Sequence, residues 1–110
     1  MTIGDLEHAV AQFSPQQRIR VVARLLHELT VAARETYVPG TDETAAPRQL
    51  RAYNEMQHRV AACLWELMEA ETTEVWFWPF LSEASASSGC DAAVAAACER
   101  AYQFVRTQGA

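Results

Sequence analysis

The run SPQQRIRVVARLLHELTVAARETYV, residues 14–38, decides the fold of this chain. It opens with a capping serine, Ser14, followed by Pro15 at the first helical position and by Gln17 three residues after the cap. This combination is typical of a capping box at a helix N-terminus. Apolar residues then cover more than half of the helix circumference, which predicts a long helix over 15–38 that is buried on two sides. We expect it to be the central helix.

The residues around this run predict further helices. A shorter helix before it begins at the capping residue Thr2 and ends by Ser14. After the polar connection 39–47, we expect a third helix over 47–70, antiparallel to the central one. Its core-facing residues recur at spacings of three and four: Leu50, Tyr53, Met56, Val60, Leu64 and Leu67.

The last third of the chain is less regular. Pro79 lacks a backbone N–H and clashes with the preceding helical turn, so we expect a break or a kink there. The small, polar run 82–89 then leads to a last helix that Ser88 or Asp91 caps and that buries Val94. A chain of 110 residues forms one domain. The predicted fold is therefore all-α, a single-domain bundle of four to five helices built on the long antiparallel pair.

Composition and charge exclude several function classes. All nine basic residues are arginine, which excludes Schiff-base and other lysine chemistry, and the net charge of -5 comes without a basic cluster. We therefore expect no direct nucleic-acid binding. No apolar run approaches the roughly 18 residues of a membrane span, and no leader pattern opens the chain, so we expect a cytoplasmic protein.

Cysteine and histidine spacing gives no metal or catalytic site. Cys63, Cys90 and Cys98 form no Cys-x-x-Cys pair and are interpreted as buried, reduced thiols. Glu55 and His58 resemble one half of the Glu-x-x-His motif of di-iron bundles, but their helical phase places them opposite the apolar stripe. No nucleophile motif such as Gly-x-Ser-x-Gly is present. We expect no metal, no cofactor and a non-enzymatic protein.

The segment Val75-Trp76-Phe77-Trp78-Pro79-Phe80-Leu81 is the strongest anomaly, because no single helix face can bury seven successive apolar residues. Some of its rings are therefore expected at the surface, where tryptophan and phenylalanine anchor partners. The alternative is that the rings wrap over an end of the bundle and complete the core.

Acidic residues surround this segment. From Val60 through Glu99 the sequence has seven acidic residues, among them Glu71 and Glu74, and no basic one. An apolar patch with an acidic rim fits a basic partner surface. The leading hypothesis is a regulatory or inhibitory interaction domain that binds a protein partner or a second copy of itself. The predicted partner-binding residues are Trp76, Phe77, Trp78, Phe80, Glu71 and Glu74.

Two other hypotheses stay open. A ligand-binding or enzymatic bundle would place a pocket between the two long helices, with Tyr53 and Gln57 as its polar contacts and His58 or Asn54 beside them. Gln57 lies on the apolar side of its helix and needs a hydrogen-bond partner there. In the other hypothesis, the acidic face imitates nucleic acid and occupies a basic groove of a nucleic-acid-binding enzyme.

Overall fold

Five α-helices account for nearly all of the residues that the structure, a computed structural model, describes: 1–36, 46–70, 77–87 and 89–108. No strand occurs in these ranges. The all-α bundle that the sequence predicts is therefore confirmed. The helices are α1 (Ile3–Val10), α2 (Pro15–Thr36), α3 (Ala46–Ala70), α4 (Phe77–Ser87) and α5 (Asp91–Thr107).

Two capping boxes fix the starts of α1 and α2. The Asp5 N–H donates to the Thr2 hydroxyl over 3.0 Å, and the Thr2 N–H donates to the Asp5 carboxylate over 3.0 Å. In the same way, the Gln17 N–H donates to Ser14 Oγ over 3.2 Å, and the Ser14 N–H donates to Gln17 Oε1 over 3.0 Å. Each box satisfies two backbone groups that a helix start leaves without intrahelical partners. The two predicted caps are confirmed.

α2 is the central helix, because it packs extensively against both α3 and α5. It buries Val21, Leu25 and Leu29 completely, which confirms the two-sided burial that its sequence predicts. Thr30 of α2 contacts Gln57 of α3, and Leu26 lines one groove with Ala61. Residues later in α2 therefore contact residues earlier in α3, so the two helices are antiparallel.

Most of the residues of α3 that were predicted to face the core are buried. Tyr53, Met56, Val60 and Leu67 are buried, whereas Leu50 and Leu64 are half-buried at its edges. The cysteines also follow the prediction, since all three are buried and none is joined in a disulfide: Cys63, Cys90 and Cys98.

Of the two expectations for Pro79, the break is wrong, whereas the kink stays a prediction. Pro79 is the third residue of α4, which runs without interruption through most of the small, polar segment predicted to lie between helices. The first four N–H groups of an α-helix have no intrahelical partner, so proline costs little in this turn. Within the described residues, Pro79 thus lies in the first turn of α4, where proline is tolerated.

The junction from α4 to α5 also differs from the prediction. Gly89 has a positive φ of 73°, and Cys90 is the N-cap residue of α5 without a side-chain cap bond. Asp91 is the first helical residue and not the cap, and its carboxylate accepts a 2.9 Å hydrogen bond from Ser85 Oγ of α4. Ser88 lies outside the described residues. This hydrogen bond joins the end of α4 to the first turn of α5.

Candidate functional site

Phe77 and Trp78 are buried within the single chain, at 0% and 4% exposure. Their rings meet edge to face, with centroids 4.7 Å apart. Because α4 begins at Phe77, its first turn directs both rings and Leu81 inward and leaves Pro79 exposed. The prediction that Phe77 and Trp78 form a docking surface is therefore corrected: they complete the core, as the alternative interpretation of this segment has it.

Phe80 is half-buried, and the Arg59 guanidinium of α3 lies 5.0 Å from its ring centroid. This cation–π contact covers one face of the ring. The predicted partner-binding residues Trp76, Glu71 and Glu74 lie outside the described residues, so their role stays a prediction.

The two residues predicted to bind a ligand together differ in their burial and surroundings. Tyr53 is buried beside Cys90, and this burial raises the pKa of its hydroxyl to about 12. Gln57, one turn later, lies at the edge of the buried stripe and is half-buried. Tyr53 shares the inward phase of Val60, whereas Gln57 is rotated about 40° from Tyr53 towards α2. The groove that Gln57 lines does not include Tyr53 among its lining residues, and a ligand site that uses both stays a prediction.

Gln57 lines an open groove of about 520 Å³ between α2 and α3. The Thr30 hydroxyl lies 2.9 Å from Gln57 Oε1 and 2.8 Å from the Leu26 carbonyl, either of which accepts its single proton. Gln57 Nε2 in turn donates to Asn54 Oδ1 over 3.3 Å. These polar groups satisfy one another, which favours a structural seam between the helices. The groove is lined by Leu26, Thr30, Asn54, Gln57, His58 and Ala61.

The outer side of α3 carries an apolar surface that the sequence analysis missed. Trp65 is 63% exposed and Met68 is 59% exposed. They continue a line of exposed residues at spacings of four and three, which we name the α3 stripe: Asn54, His58, Ala61, Trp65 and Met68. In its apolar part, Ala61, Trp65 and Met68, the spacing is that of residues by which helices pack against one another. In the sequence, this surface was visible only as Trp65 and Met68 lying at helical spacing outside the predicted core stripe of α3.

A second surface groove, of about 500 Å³, lies between α2 and α5, and we name it the basic groove. Its described lining includes two arginines and a histidine but no acidic side chain. The Arg24 guanidinium lies 4.3 Å from the ring centroid of Phe104, which is 37% exposed. The groove is thus cationic and aromatic. Its lining is Arg20, Ala23, Arg24, His27, Phe104 and Gln108.

Glu28 lies beneath this groove and joins α2 to α5. It is 6% exposed. Arg24 Nε donates to one carboxylate oxygen over 3.2 Å, and Arg100 Nε donates to the other over 2.9 Å. Two arginines share one carboxylate, so the cluster keeps a net positive charge.

The described residues bring together no group of three or more histidine, cysteine or acidic side chains that could hold a metal. Glu55 and His58 are both exposed, on the polar side that their phase predicts. Within the described part of the chain, none of the helices combines the length and apolar character that a bilayer requires.

Comparison with known proteins adds no family, since no family model, curated protein or solved structure matches this chain.

Proposed function

We propose that this chain is a non-enzymatic interaction domain that binds a helical protein partner through the α3 stripe. The observation that carries the proposal is the exposure of Trp65 and Met68, which lie one turn apart on α3 and are 63% and 59% exposed. Phe77 and Trp78, which the sequence favoured for this role, lie in the core. We therefore assign the proposed contact surface to α3 and not to α4.

The chemistry of the stripe supports a protein ligand. Tryptophan is among the residues that contribute most to interface affinity, and methionine adapts its shape to the surface that it meets. Ala61 lies between these side chains and the groove, and its small size permits the close approach of a second helix. The exposed carboxylate of Glu69, one turn after Trp65, supplies a charge at the rim. Rim charges of this kind select the partner more than they add affinity.

Site-specific photocross-linking tests the proposal. Photoreactive benzoylphenylalanine replaces Trp65 in one variant and Glu83, an exposed residue of α4, in the control variant. Irradiation in the native host is expected to give a discrete adduct from position 65 and not from position 83. Excess unlabelled wild-type protein should suppress the adduct, whereas excess Met68→Glu protein should not. The absence of an adduct at position 65, or the same adducts at both positions, would contradict the proposal.

A further inference from the structure

We infer, resting on the proposed function of the α3 stripe, that its partner is a second copy of this chain and that the stripe docks into the basic groove of that copy. The two surfaces together hold the exposed large apolar side chains of the described residues: Trp65 and Met68 on the stripe and Phe104 in the groove. Each surface thus offers the other an apolar contact that the single chain leaves open to water.

The two surfaces carry opposite charges. On the stripe side, the exposed Glu69 lies beside Trp65 and Met68. The basic groove offers Arg20, which is exposed, and Arg24, whose charge Glu28 shares with Arg100. Opposite charges meet when the stripe enters the groove. Such complementarity accelerates association and rejects wrong registers.

The positions of the two surfaces permit a closed dimer. Leu26 and Thr30 line the side of α2 towards α3, and Arg20 and His27 line its side towards α5. The exposed ridge of α2 therefore separates two surfaces that face the same side of the bundle. Two copies that face each other make the same contact twice, about a two-fold axis, which is the commonest symmetry of soluble oligomers.

Complementary charge reversals test the pairing in purified protein. Sedimentation velocity at low ionic strength is expected to show a concentration-dependent dimer that weakens at high salt. Glu69→Arg and Arg20→Glu should each raise the dimer dissociation constant about tenfold. An equimolar mixture of the two variants should restore dimerisation, because arginine at position 69 then meets glutamate at position 20. Glu83→Arg, the same charge change on α4, is the matched control and should leave the dimer unchanged.

The possible outcomes separate this inference from the proposed function. A purified wild-type chain that stays monomeric overturns the second copy as partner, whereas a position-65 adduct with a different protein still supports the interaction domain. If Glu69→Arg weakens the dimer but Arg20→Glu does not, the stripe pairs with another surface and the groove assignment is wrong. A mixture that fails to restore dimerisation also overturns the inference. Circular dichroism of each variant verifies that the helices are intact.

Discussion

At the scale of the residue, Glu28 shows how one carboxylate holds two helices together. It is buried, and each of its oxygens accepts a hydrogen bond from a different arginine, one on α2 and one on α5. Acidic side chains are ordinarily exposed, so the residue type alone predicts a surface position for Glu28. Its partner Arg100 is 72 residues away. No local pattern contains that contact, so burial of Glu28 could not be predicted from the sequence.

Replacing Glu28 with glutamine should lower the free energy of unfolding by about 1–2 kcal/mol, because charge-assisted hydrogen bonds become weaker and two arginines lose their counter-charge. Solvent at the half-exposed Arg100 reduces the effect below that of a fully buried pair. Urea denaturation measures the change. Glu83→Gln, at an exposed site, should change stability by less than about 0.5 kcal/mol. Equal effects of the two substitutions would contradict this role of Glu28.

The Cys98 thiol should make stability depend on alkaline pH. Burial raises its pKa from 9.0 to about 12. Burial likewise raises the pKa of the Tyr53 hydroxyl from 10.0 to about 12. The unfolded chain therefore releases these protons at lower pH than the folded chain. Their stabilising effect is complete below pH 9 and is lost as pH rises towards 12. The free energy of unfolding should fall by up to about 1.4 kcal/mol per pH unit for each group.

Urea denaturation at a series of pH values between 8 and 11 measures this slope. Cys98→Ala should make the slope shallower by removing one of the two groups. The same burial should protect the three thiols from Ellman's reagent at pH 8 until the chain is unfolded. Rapid labelling of Cys98 in the native protein, or a stability that does not change with alkaline pH, would show that its thiol is accessible.

At the scale of the element, the sequence predicted the starts of those helices that a capping box marks. It did not predict the start of a helix without such a motif. Ser14 with Gln17 and Thr2 with Asp5 are reciprocal local contacts, so a short sequence window contains all the information. The sequence around Pro79 contains no such local motif. Proline ends a helix in its interior but is tolerated in its first turn, and the pattern around residue 77 does not show which applies.

Pro79→Ala should therefore leave α4 intact and change the free energy of unfolding by less than about 1 kcal/mol. Phe77→Ala, two residues earlier, should cost about 3–5 kcal/mol, because it removes a fully buried ring and leaves a cavity. Thermal denaturation followed by circular dichroism compares the two variants. A large loss with Pro79→Ala, or a small one with Phe77→Ala, would show that α4 does not begin as described.

At the scale of the whole molecule, the core and the proposed interaction surface use different sides of the same helix. Tyr53, Met56 and Val60 hold α3 in the bundle, whereas Trp65 and Met68 face outward. The sequence predicted the core side because its spacing matches a buried stripe. It did not predict the outer side, because scattered exposed apolar residues are common on proteins and do not by themselves indicate a contact surface.

Substituting both Trp65 and Met68 with serine should consequently change the free energy of unfolding by less than about 0.5 kcal/mol at concentrations where the chain is monomeric. Binding of the dye ANS to the native protein should fall, because the largest exposed apolar side chains are removed. Urea denaturation and ANS fluorescence measure the two effects. A marked loss of stability would place these side chains in the core and contradict their surface role.

The position of α2 between α3 and α5 also determines when the chain can complete its fold during synthesis. α3 follows α2 closely in the sequence and can pair with it early, but α5 reaches α2 only after residues 91–107 have left the ribosome. Until then the second apolar side of α2 faces water, and Glu28 has no Arg100 to neutralise it. Before α5 emerges, the nascent chain therefore exposes the apolar side of α2 that α5 later covers, and we expect chaperones to bind such a surface.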